Sequence, residues 1–133
     1  FGPGVAERLL AAPEADITVT IDRKPSYDAD DMKVLTEDGK LRAIGKTIEA
    51  YDAESIGFLR FSVAGAARFA AGVEHVLQSP EGLRRWYLSV IDELAHSGVD
   101  VRVCSIEELE WGEMYFPQDV DSLNRLSADW TAP

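Results

Sequence analysis

The spacing of apolar residues changes near residue 63, and this change limits the folds open to the chain. Residues 16–22 (Asp-Ile-Thr-Val-Thr-Ile-Asp) alternate with a period of two, which is typical of a β-strand, and residues 55–62 are interpreted as another strand. From residue 64 the apolar positions recur every three or four residues, over 64–77 and again over 83–95, which predicts two amphipathic helices. Strands followed by helices predict an α/β domain in which a mixed sheet is flanked by helices.

Turn signals divide the rest of the chain into further elements. Asp38-Gly39 lies between two short apolar segments, residues 32–35 and 41–44, and such a pair is the strongest short-range signal for a β-hairpin. The other predicted elements are a helix over 5–12, strands over Val99–Ile106 and Leu109–Tyr115, and a helix over Gln118–Trp130 that follows Pro117. We expect these elements to form one domain covering residues 1–133.

The charge of the chain excludes several classes of partner. The 133 residues carry 24 acidic and 13 basic side chains, a formal net charge of −11. Non-specific nucleic-acid binding needs Lys and Arg to replace phosphate counterions, so no nucleic-acid partner is expected. An anionic membrane surface is disfavoured for the same reason, and no uncharged segment approaches the roughly 20 residues of a membrane span. The single Cys104 allows no internal disulfide, so a reduced, cytoplasmic setting is expected.

Few residues have the patterns that carry chemistry, and no Gly-rich phosphate-binding loop is present. Lys46 follows Gly45 at the end of the predicted hairpin, where a glycine allows a phosphate to approach the backbone. A solvated surface lysine is the alternative. The acidic segment Asp28–Asp31 has hard oxygen ligands for a divalent cation but lacks the spacing of a calcium-binding loop, and a solvated acidic loop is the alternative.

The segment Trp111-Gly112-Glu113-Met114-Tyr115 combines aromatic rings with a carboxylate. If it is a strand, Trp111, Glu113 and Tyr115 share one face and can hold a small cation by cation–π and charge interactions. Trp86 and Tyr87 on the amphipathic helix are candidates for the same pocket. The alternative is that Trp86, Tyr87 and Trp111 belong to the hydrophobic core.

Several motifs, taken in chain order, resemble the sugar-nucleotide-type nucleotidyltransferases. They are Phe1–Val5, Ile17–Asp22, Asp31–Val34, Asp38–Lys46, Glu54–Ser62 and Trp111–Asp119. The resemblance covers essentially the whole chain, but only the C-terminal half of the family's domain. It is strongest to the cytidylyltransferases that act on phosphocholine and aminoalkylphosphonates.

This resemblance implies a Rossmann-like α/β fold and a reaction that moves a nucleotidyl group from a nucleoside triphosphate, with magnesium, to a phosphate or phosphonate acceptor. Glu113 matches the glutamate of the family's Glu-x-Asp metal motif, but Tyr115 stands where that motif has its aspartate. A phenol with a pKa near 10 is a poor magnesium ligand. The family's nucleotide-binding loop has no counterpart in this sequence.

The resemblance also assigns residues to an acceptor site. By position, Lys46 is expected to meet the acceptor phosphate and Glu54 to face the acceptor pocket. Asp22 is expected at a strand end near the pocket, and Trp86 and Tyr87 near the acceptor head group. These residues, with Trp111 and Tyr115, are the predicted substrate-binding set.

Three hypotheses follow for function. The first is the acceptor-binding half of a nucleotidyltransferase, inactive as this chain alone. The second is a free-standing, non-catalytic module that binds a small phosphate or phosphonate, or a structural homo-oligomer. The third is a folded remnant that binds nothing. A homodimer is expected, because a half-domain of this kind would leave a strand edge and apolar helix faces exposed.

Overall fold

The structure is a computed structural model that describes residues 1–130, so the last three residues of the predicted domain lie outside the described range. It contains five strands, four α-helices and one 3₁₀ turn. The strands are β1 (Ile17–Asp22), β2 (Lys33–Glu37), β3 (Lys40–Gly45), β4 (Ala53–Phe61) and β5 (Val101–Ser105). The helices are α1 (Val5–Ala11), α2 (Val63–Leu77), α3 (Tyr87–His96) and α4 (Pro117–Ser127), and the 3₁₀ turn covers Gly82–Arg84.

The five strands form one closed barrel in the order β1-β4-β2-β3-β5. β1 is antiparallel to β4 and parallel to β5, and α2 and α3 connect β4 to β5. The barrel closes through a single antiparallel pair, Lys40 opposite Arg102, between β3 and β5. The predicted open mixed sheet flanked by helices, of Rossmann-like type, is therefore wrong. Register shifts in the β1–β4 and β2–β3 pairs accompany the closure, since such irregularities bend and twist strands.

The hairpin between β2 and β3 confirms the prediction from Asp38-Gly39. Both residues have positive φ, 51° for Asp38 and 75° for Gly39, as a two-residue turn of the primed type requires. Ile44 in β3 donates its backbone N–H to Asp92 of α3 at 2.8 Å. This hydrogen bond fixes α3 against the hairpin strand that leads to Lys46.

The core lies inside the barrel and under α3. The side chains with no accessible surface include four from β1 and β2 and two from outside the sheet, namely Ile17, Val19, Ile21, Val34, Ile91 and Ile106. α2 crosses the start of β1 so closely that a Cβ on Gly65 would lie 1.7 Å from the carbonyl oxygen of Asp16. Ser62 caps α2 by accepting a hydrogen bond from the Gly65 N–H at 3.0 Å.

Two predicted elements differ from the structure. Residues 109–115 form no strand, so the argument that Trp111, Glu113 and Tyr115 share a strand face does not apply. The helix predicted over 83–95 is divided, because the chain makes a 3₁₀ turn and then extends through Arg85 and Trp86 before α3 begins at Tyr87. No helix within residues 1–130 is long and apolar enough to cross a membrane.

Candidate functional site

A cleft of about 130 Å³ lies at one end of the barrel. Its walls come from the residue after β3, the first half of β4, the start of α3 and the loop before α4. Six of the eight predicted site residues line it: Lys46, Glu54, Trp86, Tyr87, Glu113 and Tyr115. The fold thus brings together residues that are up to 69 positions apart in sequence (115 − 46).

One side of the cleft is cationic and aromatic. The ammonium of Lys46 lies 4.6 Å from the centroid of the Trp86 ring, a cation–π arrangement. Trp86 is 58% exposed, so it is a wall of the cleft and not part of the core. It is also the N-cap of α3, and its side chain caps none of the first N–H groups of that helix. Such N–H groups and a nearby lysine together favour an anion.

A second pocket of about 280 Å³ adjoins the cleft. It shares Met32, Lys46 and Trp86 with the cleft, and Arg85 also lines it. Arg85 is paired with Glu93 of α3. Lys46 and Trp86 therefore border both spaces.

The lining of the cleft also includes a buried carboxylate. Glu54 is only 3% exposed, and its Oε2 lies 3.0 Å from the ammonium of Lys24. The same ammonium lies 2.8 Å from Oδ2 of Asp31. Burial raises the pKa of Glu54, and the interaction with Lys24 opposes this only in part. For Asp31, burial also raises the pKa, but hydrogen bonds from Lys24 and from the Asp28 N–H outweigh it and lower the pKa.

Glu113 and two tyrosines complete the cleft. Burial raises the pKa of Glu113, and interaction with the Tyr115 hydroxyl partly opposes this shift. Burial and the charge of Glu113 raise the pKa of Tyr87 and of Tyr115, so both phenols stay protonated and can donate hydrogen bonds. The Tyr87 hydroxyl lies 3.7 Å from where a Cβ on Gly57 would stand, and Gly57 has a positive φ of 75°. The positive φ favours glycine at this position, whereas the 3.7 Å separation is an ordinary van der Waals distance.

The two remaining predicted site residues, Asp22 and Trp111, bind each other. The indole Nε1–H of Trp111 donates to Oδ2 of Asp22 at 2.6 Å, and Oδ1 of Asp22 accepts the Arg23 N–H at 2.8 Å. Neither residue lines the cleft. Their pairing ties the loop after β5 to the end of β1, and so fixes the segment that carries Glu113. A direct contact of either residue with a ligand stays a prediction.

The described residues do not fit a magnesium site. Among residues 1–130 no group of three or more acidic, histidine or cysteine side chains is placed to hold a metal ion. Glu113 is accompanied by Tyr115, a poor magnesium ligand, and the buried Glu54 is engaged by Lys24.

Sequence reasoning missed two lysines that organise the site. Lys24 bridges Glu54 and Asp31, as described above. Lys33, only 7% exposed, donates from its ammonium to the backbone oxygens of Asp28 and Lys46 at 2.8 and 3.0 Å. The one available signal was the basic pair Arg23-Lys24 close to the acidic segment 28–31.

A larger groove of about 530 Å³ lies between α1 and the end of β4. The guanidinium of Arg60 faces it but is already occupied, because it donates to the carbonyl oxygens of Leu9, Ala12 and Pro13 at 2.8, 3.0 and 2.6 Å. These bonds satisfy the carboxyl end of α1. The hydrogen bonds of Arg60 therefore give this groove a structural role. The smaller cleft is the better candidate for a ligand site, because charged and aromatic side chains converge on it.

Comparison with known proteins supports the fold. No family model matches the chain, and no curated protein matches it. Among solved structures, an inositol-1-phosphate CTP transferase from T. maritima matches with a TM-score of 0.73 at 20% identity. The match covers 96% of this chain and 51% of that chain. The protein thus shares a fold with a nucleotidyltransferase, and it spans about half the length of that solved structure.

Proposed function

We propose that the cleft is the acceptor site of a nucleotidyltransferase and that it binds a small phosphate or phosphonate ester carrying a cationic group. One observation carries the proposal: the lining of a single cleft combines a lysine on an aromatic ring with a carboxylate and two phenols. Lys46 and Trp86 form the first group, and Glu113, Tyr87 and Tyr115 form the second. The fold shared with the solved inositol-1-phosphate CTP transferase also supports the proposal that the cleft belongs to a nucleotidyltransferase.

The phosphate or phosphonate belongs at Lys46. The lysine and the uncapped N-terminus of α3 neutralise the acceptor's charge, which reduces its repulsion from an incoming triphosphate. An oxygen of the acceptor then attacks the α-phosphorus of the nucleoside triphosphate, which the family resemblance identifies as CTP. A new P–O bond forms, the bond to the β-phosphate breaks and pyrophosphate leaves. The role of Lys46 is to hold the attacking group in position.

The cationic head group belongs beside Glu113. Aromatic rings and a partly desolvated carboxylate are the usual protein environment for a quaternary or primary ammonium. The solved relative is named for inositol 1-phosphate, which carries no positive charge. The Glu113 carboxylate favours phosphocholine or 2-aminoethylphosphonate over such a neutral head group.

Isothermal titration calorimetry with phosphocholine, 2-aminoethylphosphonate and inositol 1-phosphate tests the assignment. We expect the two amine-bearing compounds to bind more tightly than inositol 1-phosphate. Lys46→Ala is expected to weaken phosphocholine binding at least about tenfold, as the loss of one charge-assisted contact implies. Lys40→Ala is the matched control, because Lys40 is an exposed lysine on the same hairpin strand. Equal effects of the two substitutions, or no binding of any compound, would overturn the proposal.

The alternative function is a non-catalytic binding module, and the lack of a metal-holding group within residues 1–130 favours it for the chain alone. Release of pyrophosphate from CTP with magnesium and phosphocholine distinguishes the two. We expect this chain alone to bind the acceptor without releasing pyrophosphate. Release at a rate that Lys46→Ala abolishes would show that the chain is catalytic by itself. The proposed homodimer is tested separately, by light scattering.

A further inference from the structure

Lys24 occupies the carboxylates that a cationic ligand would otherwise use. Its ammonium lies 3.0 Å from Glu54, which lines the cleft, and 2.8 Å from Asp31. Lys24 does not line the cleft itself. The side chain enters the carboxylate pair from the side of the β1–β2 loop, and its ammonium is also 5.6 Å from the Tyr27 ring. An ammonium between two carboxylates and against an aromatic ring has the surroundings expected for a bound amine.

We propose that Lys24 is an internal counter-ion that sets the charge preference of the cleft, weakening the binding of cations and supporting the binding of zwitterions that also carry a phosphate. This inference rests on the cleft being the ligand site proposed above. Lys24 acts through Glu54 and Asp31, and it is a specificity-determining residue rather than a ligand contact.

The burial of Glu54 determines how strongly Lys24 affects cation binding in the cleft. A carboxylate that is 3% exposed is poorly hydrated, so it needs a cation close by. With Lys24 present this need is met internally. Without Lys24, an ammonium entering the cleft becomes the nearest compensating charge. The charge of Lys24 also reaches Glu113, whose pKa it lowers. Removing one lysine therefore changes the field at both carboxylates of the cleft.

The test uses Lys24→Met, which keeps the length and the apolar stem of the side chain. The probes are choline, which has no phosphate, and inorganic phosphate, which has no cation. We expect choline to bind about tenfold more tightly to the variant than to the unsubstituted chain, the factor of one favourable charge contact. Inorganic phosphate is expected to bind more weakly. The double variant Lys24→Met/Glu54→Gln is expected to lose the gain for choline.

A purely structural role for Lys24 gives a different result, in which Lys24→Met weakens both probes together. That result would overturn the inference. If Lys24→Met fails to fold, Glu54→Gln provides the test, because it leaves the ammonium with one carboxylate fewer. It is expected to weaken choline and to strengthen inorganic phosphate, whereas a structural role predicts no strengthening. Choline carries no phosphate, so failure here leaves the assignment of the phosphate to Lys46 standing.

Discussion

The ammonium of Lys33 holds two walls of the cleft together, and its removal is expected to cost both stability and binding. It donates to the carbonyl oxygens of Asp28, Asp31 and Lys46 at 2.8, 3.4 and 3.0 Å. The first two belong to the acidic loop, and the third belongs to the residue assigned to the phosphate. Lys33→Met keeps the buried stem and removes all three hydrogen bonds.

The size of the effect follows from these contacts. A hydrogen bond from a charged donor contributes about 1.5–3 kcal/mol. The three do not add, because the carbonyl oxygens lie in loops where water can replace the ammonium, and because the variant no longer has to desolvate a charge. We therefore expect a loss of about 2–3 kcal/mol in the free energy of unfolding. In a domain of this size that lowers the Tm by roughly 8–12 °C.

Thermal unfolding followed by circular dichroism measures this loss. Lys40→Met is the matched control, since it removes an exposed lysine from the neighbouring strand and is expected to change the Tm by no more than about 2 °C. Phosphocholine binding is measured on both variants below their Tm and is expected to weaken only for Lys33→Met. Equal stability of the two variants would refute the reasoning that these three carbonyl contacts hold the site.

Three further outcomes are expected. Gly65→Ala should destabilise the fold by about 3 kcal/mol or more in urea unfolding, because its Cβ would meet the carbonyl oxygen of Asp16 at 1.7 Å. A loss below about 1 kcal/mol, which is ordinary for a helix surface, would contradict the packing of α2. Trp111→Phe should cost about 1–2 kcal/mol in the same assay, because it leaves Oδ2 of Asp22 without its indole donor; an unchanged midpoint would contradict that hydrogen bond. Choline binding should weaken as the pH falls through the pKa of Glu113, which burial raises above the usual glutamate value of 4.5. Calorimetry at several pH values measures the affinity, and an affinity that stays constant down to pH 4.5 would contradict this prediction.

Local structure could be predicted where a few neighbouring residues decide it. The turn at Asp38-Gly39 needs two residues with positive φ, and this pair accepts them more readily than most. The strand β1 and the helix α2 were predicted nearly to their observed limits, because their apolar spacing is regular. The closure of the barrel was not predictable in this way. It rests on the pairing of Lys40 with Arg102, residues that are 62 positions apart (102 − 40), and no local pattern encodes it.

Only some of the residues predicted for the site line the cleft, and the physical reason differs from residue to residue. Lys46 adjoins β3 and Glu54 belongs to β4, and both strands pair with β2, which brings the two residues to one cleft. Trp111 was assigned to the same face as Glu113 on the assumption of a strand, but the segment is irregular and the indole turns to Asp22. Lys24 was missed because its role depends on two carboxylates brought to it by the fold.

The ligand is expected to enter between Lys46, Trp86 and Glu113, and the tryptophan indoles report on its binding directly. The protein has three tryptophans, so a ¹H–¹⁵N spectrum shows three indole signals, which Trp→Phe variants assign. Trp111 donates to Asp22 and Trp130 donates to Glu110, both away from the lining of the cleft. On titration with phosphocholine we expect the Trp86 signal to move in a saturable way while the Trp130 signal stays in place. A shift of Trp130 without Trp86, or no shift of any indole, would contradict it.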